Sequence, residues 1–448
     1  MDLAKPTTTS GAHRHPRLIC APEQIFDDTA IWQALAQRDS TLEGAALRAE
    51  IVPLIQEAQQ GGRKAIAAGF AESPFDARAM TSSYTYLTDQ LLRCVLQIAT
   101  QVLHPNPNPT EGERLAMIGV GGYGRGEMAP FSDVDLLFLI PYKATAWSES
   151  VIESMLYILW DLKLKVGHAT RTIDDCLRLG ADDFTIQTAL LENRFIDGDV
   201  TLAQELSERL KNELFSGAGK DFIEAKLEER DNRHLKQGER YMVEPNVKEG
   251  KGGLRDLHSL FWIAKFIHDV DRVADLVDLG VFRADEYDTF REAEAFLWAV
   301  RGHLHLIAGR ATEQLTFDMQ VQVAQAMGYQ DIGGRRGVEI FMQAYFRHAT
   351  AVGDLTRIFV SGLEASHMKA EPLLERIFRR RPKIREGFQV VHNRIAVKDD
   401  EEFLQDKLNL LRIFEEALRT GMLIHPDAMR LIKANLALID DDMRRTPE

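Results

Sequence analysis

Residues 115–140 read LAMIGVGGYGRGEMAPFSDVDLLFLI, and this stretch restricts the possible fold more than any other in the chain. Residues 115–120 and 134–140 are continuous apolar runs rich in β-forming side chains, the pattern of strands buried on both faces. Gly126 and Pro130 leave room between them for barely one helical turn. The runs therefore read as two strands of one small sheet joined by a glycine-rich turn. Gly119, Gly121 and Gly124 also spell G-x-G-x-x-G, the dinucleotide-binding fingerprint. That fingerprint needs its third glycine to open a long helix, and an acid at the end of the following strand. Here no long helix follows, and the acids, Asp133 and Asp135, arrive at the start of the next strand. A P-loop fails too, because no Gly-Lys-Ser/Thr follows the glycines.

In a strand, residues i and i+2 point to one side with Cα atoms about 6.5–7 Å apart, so Asp133 and Asp135 project together at the strand mouth. Two unpaired carboxylates so placed repel each other and raise a pKa unless a cation neutralises them. Mg²⁺ takes oxygen ligands and is commonly held by one or two carboxylates plus substrate phosphates. Gly121 and Gly122 let backbone N–H groups approach a triphosphate closely. Glycines and paired acids together describe a metal–nucleotide phosphate site; a lone D-x-D would be read first as a turn cap.

The rest of the chain bounds the class. Its 448 residues carry 54 Lys and Arg against 68 Asp and Glu, a net charge of −14. That argues against a general polyanion-binding surface, and no nucleic-acid partner is expected, although a local basic pocket remains allowed. No apolar run is long enough to span a membrane. Cys20, Cys94 and Cys176 are widely spaced and odd in number, as fits reduced thiols in a cytoplasmic protein. Residues 1–20 read as a disordered lead-in, 21–110 as N-terminal helices, 111–200 as the strand-bearing core, 201–370 as a helical bundle and 371–448 as a C-terminal helical segment. One short strand is expected near residues 388–397. Within the core, Ser150 with Glu153 predicts a capped helix, residues 165–172 a third strand, and Thr172 with Asp175 a second capped helix. The expected class is α+β: a small mixed sheet with helices, followed by a mostly helical region.

The spacing G-G, ten residues, D-x-D resembles the DNA polymerase β-like nucleotidyltransferase superfamily. The fuller string GGYGRGEMAPFSDVDLLFL is closer to the PII uridylyltransferase/uridylyl-removing family. The likeness continues through VGHATRTIDDC, TALLENRFIDGD, EPNVKEGKGGLRDLHSLFWIAKF, HLHLIAGR and FDMQ, and covers about residues 90–435. It implies transfer of UMP from UTP to a tyrosine of the PII signalling protein, with pyrophosphate released. Carried over, Asp133 and Asp135 would be catalytic and ligate Mg²⁺ (or Mn²⁺). Gly121, Gly122, Arg125, Ser132, Lys248, Lys251 and Arg255 would bind the nucleotide. The superfamily usually has Ser where this chain has Gly122, so phosphate binding leans on backbone. Many members add a third carboxylate on the next strand, but KLKVGHAT has none. Asp161, Asp174 and Asp175 are not at strand spacing; His168 is the nearest titratable candidate, and the general base stays unassigned. A related nucleotidyltransferase with another nucleotide or acceptor, or a catalytically silent PII-binding scaffold, remains open. The family continues into a phosphohydrolase domain and glutamine-sensing domains. Past Asp400 the only histidine is His425, so this chain is expected to add UMP but not to remove it.

Other features carry plainer readings. Lys248, Lys251 and Arg255 sit among Gly250, Gly252 and Gly253 in a loop that either closes over phosphates or merely connects two segments. Arg376, Arg379, Arg380, Arg381, Lys383 and Arg385 form a dense basic cluster, most simply a solvated face. His268-Asp269 lacks further ligands at usable spacing and reads as helix-surface chemistry. Trp160, Trp262 and Trp298 lie on helical apolar faces and are expected in the core.

Overall fold

The computed structural model describes residues 17–37, 44–217, 219–237, 242–270, 272–367, 384–391, 394–440 and 443. It is an α+β protein. The two apolar runs become β1 (Ala116–Gly119) and β2 (Val134–Leu139), paired antiparallel with Gly119 opposite Leu136. The connection holds a single four-residue helix, α3 (Gly121–Gly124), following the long N-terminal helices α1 (Gly44–Glu72) and α2 (Ala77–Ile98). β3 (Val166–Arg171) runs parallel to β2 and forms one edge of the sheet. The other edge is β4 (Arg194–Gly198), antiparallel to β1, a strand its mixed RFIDG sequence does not announce.

Both faces of this sheet are covered. Met117, Leu136 and Phe138 join the large core that also takes in α1, α2 and the later helices. Ala116, Ile118, Leu137 and Leu139 face a second cluster, with Ile173, Cys176 and Leu190. Double coverage is why β1 and β2 read as unbroken apolar runs rather than alternating ones.

Two local expectations change. Helix α4 (Ala146–Asp161) is capped by Thr145, which accepts from Ser148 N at 3.2 Å while Ser148 Oγ accepts from Thr145 N at 3.0 Å. Ser150 cannot be its cap, because its hydroxyl already donates to Ala146 O inside the first turn. Trp160 is not core: it is 47% exposed and packs edge-on to Tyr157. Thr172 and Asp175 do form the capping box of α5 (Ile173–Asp182), as their spacing predicts, and α6 (Phe184–Leu191) follows, capped by Asp183.

The helical region contains α7 (Gly219–Gln237), α8 (Leu254–His268), α9 (Ala284–Ala308) and α10 (Gly337–His367). Near residues 388–397 the expected single strand is a pair, β5 (Phe388–Val391) and β6 (Arg394–Val397), extended by β7 (Leu423–Ile424). With α11 (Asn409–Thr420) and α12 (Pro426–Ala434) these strands enclose a small core of their own. Arg430 of α12 ties it to α9, donating from Nε to Glu286 Oε1 at 2.8 Å. Most of the basic cluster, Arg376 to Lys383, lies outside the described residues, as do residues 1–16.

Candidate active site

The glycines of the turn divide into two kinds. Gly121 adopts a positive φ of 59°, a conformation that favours glycine. Gly119 and Gly124 are packing glycines: a β-carbon on Gly119 would stand 2.9 Å from the Tyr123 ring, and one on Gly124 would sit 1.8 Å from the Glu192 carbonyl oxygen. The buried Tyr123 is itself anchored. Its hydroxyl donates to Asp89 Oδ1 at 2.6 Å, and Arg194 of β4 closes on the same carboxylate at 2.7 and 3.0 Å. A part-buried ion pair of α2 and β4 thus fixes the turn.

Asp135 stands half-buried on β2, between Gly121 and Gly167. A β-carbon on Gly121 would meet its Oδ2 at 3.6 Å, and one on Gly167 would meet its Oδ1 at 2.5 Å. Burial pushes the Asp135 carboxyl up, the Asp133 charge pushes it further, and Lys248 partly offsets both. The two acids are therefore close enough to feel each other, as their spacing predicts.

A cavity of about 290 Å³ opens in front of them. From the sheet side it is lined by Gly121, Gly122, Arg125, Ser132, Asp133 and Asp135, from the loop before α8 by Lys248, and from α8 and α9 by Arg255 and Arg301. Lys248, Arg255 and Arg301 gather on the side facing the acids, Arg255 paired with Glu249 and Arg301 with Glu313. Lys251 is not among the lining residues, so the structure does not bring it to the site.

Arg125 is committed to neighbours: it donates to Glu127 Oε2 at 2.8 Å and pairs with the buried Glu192. Ser132 Oγ accepts from Ala129 N at 3.0 Å, closing the turn ahead of Asp133. Burial lowers the Lys248 ammonium, and Arg301 and Arg255 add to the effect. The loop that carries Lys248 is built rather than slack. Asn246 Oδ1 accepts from Lys248 N at 3.1 Å and Glu249 N at 2.7 Å, while Asp256 Oδ2 accepts from Gly252 N at 2.8 Å. Gly252, at φ 79°, passes so close to α10 that a β-carbon would sit 2.2 Å from Ala349 O. That loop holds its cations in place before any ligand arrives.

Several lining residues carry no sequence signal. Trp262 and Trp298 are buried as expected, but they are cavity wall as well as core, with Arg255 and Arg301 over their rings at 5.4 and 4.9 Å. His258 is buried beside Arg125, Arg255 and Arg301; burial first, then those charges, keep its imidazole neutral. Lys226 of α7 joins the wall, its ammonium 5.4 Å from the Trp262 ring centroid. Four buried polar atoms of this wall have no hydrogen-bond partner: Glu192 Oε1, His258 Nδ1, Trp262 Nε1 and Trp298 Nε1. Buried polar groups are seldom left so, and these four belong to side chains that line one cavity.

No carboxylate enters from β3. Asp161 pairs with Arg48 and Asp174 with Arg209, while Asp175 is spent on the Thr172 cap. His168 is register partner to Leu136, so strand alternation sends its side chain to the sheet face opposite Asp135. It is not placed to act as a base there. Asp269 caps α8 in a left-handed conformation and pairs with Lys211. Among the described residues no cluster of three or more His, Cys, Asp or Glu side chains could hold a metal, and no helix is long and apolar enough to cross a membrane.

Residues 221–360 match the GlnD PII-uridylyltransferase family model and residues 388–448 the uridylyltransferase GlnD third-domain model. Relatives cover nearly the whole chain. A bifunctional uridylyltransferase/uridylyl-removing enzyme of Ruegeria pomeroyi is 65% identical over 95% of the chain and 47% of that protein. One from Cereibacter sphaeroides is 55% identical over 99% of the chain and 48% of its own length, and one from Azospirillum brasilense 44% identical over 90% and 44%. The chain spans about half the length of the curated relatives it matches.

Proposed function

Because the chain belongs to the GlnD PII-uridylyltransferase family, we propose that its cavity transfers UMP from UTP to a tyrosine of a PII signalling protein and releases pyrophosphate. The observation that carries the reading is the meeting of the Asp133–Asp135 pair with the cationic wall of Lys248, Arg255 and Arg301 across one cavity. Phosphates need the cations, and the reacting phosphorus needs to sit near the acids.

Asp133 and Asp135 fit a divalent cation: they are hard oxygen donors whose mutual repulsion, expressed at Asp135, a bound cation would relieve. They would hold Mg²⁺ or Mn²⁺, which when bound polarises the α-phosphate and offsets the charge that develops there. Lys248, Arg255 and Arg301 orient the triphosphate by charge-assisted hydrogen bonds. Gly121 and Gly122 put no side chain between the turn backbone and the phosphates. Trp262, Trp298 and His258 line the cavity and would give the nucleoside ring surface to pack against.

The test is incubation of the chain with UTP, Mg²⁺ and a PII protein, read by intact mass. The same incubation is run with ATP, GTP or CTP in place of UTP. A gain of one UMP per PII subunit from UTP, abolished by Asp135→Asn, is the expected result. No gain from UTP, or an equal or larger gain from another nucleotide, would overturn it.

A further inference from the structure

Beside the nucleotide cavity lies a second opening, of about 240 Å³. It shares Gly121, Asp135, Thr185 and Ala189 with the first, so the two meet at the Asp135 carboxylate and the start of α6. Its wall is otherwise mostly apolar, formed by Val120, Leu137, Ala169, Ile186 and Leu190, with His168 and Arg171 of β3 also on its lining. Residues 167 and 169 of β3 share the Asp135 face, and they are Gly and Ala. The groove exists because those side chains are so small: a β-carbon at 167 already collides with Asp135. β3 is the edge strand, so the groove is open on the side away from β2.

We infer that this groove is the acceptor subsite, taking a side chain with an apolar ring and a terminal hydroxyl, a tyrosyl group, from the protein to be modified. The inference rests on the transfer reading above. The ring would lie against Leu137, Ala169 and Ile186, with the hydroxyl at the Asp135 junction. A serine or threonine would leave the apolar wall unfilled. In the step that follows, the hydroxyl oxygen bonds to the α-phosphorus. The bond from that phosphorus to the bridging oxygen breaks, and pyrophosphate leaves with the electron pair. The hydroxyl proton passes to water at the open edge of β3.

The experiment measures three quantities on the wild type, Ala169→Leu and Ile186→Ala: kcat/KM for PII, Kd for a non-hydrolysable UTP analogue, and inhibition by N-acetyltyrosinamide. Filling the groove with Ala169→Leu is expected to lower kcat/KM for PII about tenfold or more, with analogue Kd within about twofold. Ile186→Ala, which enlarges the groove and carries no steric risk, is expected to raise KM for PII several-fold. N-acetyltyrosinamide should inhibit the wild type and lose potency in Ala169→Leu. Unchanged kinetics for PII in both folded variants would overturn the subsite. If the wild type binds the analogue but modifies no PII, the transfer reading falls. Saturation transfer from protein to the N-acetyltyrosinamide ring, present in wild type and lost in Ala169→Leu, then supports the groove, and its absence in wild type overturns it.

Discussion

Gly167 faces Asp135 across the parallel β2–β3 ladder, so closely that a β-carbon at 167 would come within 2.5 Å of the Asp135 carboxylate. The missing side chain is what leaves that carboxylate its position. Gly167→Ala is therefore expected to displace Asp135 and cut turnover about tenfold to a hundredfold, since small misplacements of a reacting group are costly. Thermal unfolding should change little, because position 167 is exposed. Turnover within a factor of about two of wild type would show that the carboxylate has somewhere equivalent to go.

Asp133→Asn and Asp135→Asn should each be nearly inactive yet folded. Without a cation the Asp135 charge is disfavoured by burial and by Asp133, so neutralising it should hold or raise the melting temperature. Melting curves recorded without divalent metal, beside turnover with it, decide the matter. A large drop in melting temperature would mean that the acids are structural.

Lys248→Ala and Arg255→Ala should each raise KM for UTP about tenfold, the scale of one charge-assisted hydrogen bond, with little loss of stability. Lys251→Ala should leave KM unchanged, since Lys251 is outside the cavity wall. Steady-state kinetics on the three variants separate the loop's site residues from its merely basic one. Equal effects from all three would point to general charge rather than contact.

Acid should weaken the wall at Glu313. Burial would raise this carboxyl, but His305 and the Arg301 guanidinium, 2.8 Å away, outweigh it and hold it down to about 2 from an ordinary 4.5. A depressed carboxyl contributes stability above its unfolded value and loses it as pH falls toward the folded one. The contribution, at most about 3 kcal/mol, should be whole above pH 5 and fade between 4.5 and about 2. Denaturant unfolding of wild type and Glu313→Gln across this range should show a gap that closes on acidification. A gap independent of pH would refute the assignment.

Asp89→Ala should be a damaging change, costing about 2–3 kcal/mol, because it leaves the buried Tyr123 hydroxyl and the part-buried Arg194 without their shared acceptor. Asp89→Asn, which keeps an acceptor for Tyr123, should cost less. Chemical denaturation of both variants gives the comparison, and a loss below about 1 kcal/mol for the alanine variant would remove the anchor from the account of the turn.

The acids and glycines were legible because their signal is contiguous: two apolar runs, a turn too short for a helix, and a pair of carboxylates with strand spacing. The opposite wall was only half legible. Lys248 and Arg255 stand out in a glycine-rich loop, whereas Lys226, His258, Trp298 and Arg301 sit in ordinary helical patterns and reach the cavity only through helix packing. β4 was hidden by its polar alternation, since an edge strand need not be apolar on both sides. Trp160 misled for the reverse reason: an apolar helical position guarantees proximity to the core, not burial. His168 was near in sequence and on the right strand, but one residue off the right face.

The acids come from the sheet and the cations proposed to hold phosphate come from α8, α9 and the loop before them, so in the proposed function neither half alone makes a nucleotide site. A triphosphate bound as proposed would bridge the two halves as a removable cross-link, and by mass action it would favour their closed packing over any loosened one. Nucleotide concentration would then set how rigid the molecule is, and hydrogen exchange along α8 and in the loop at Gly252 should slow as UTP is added.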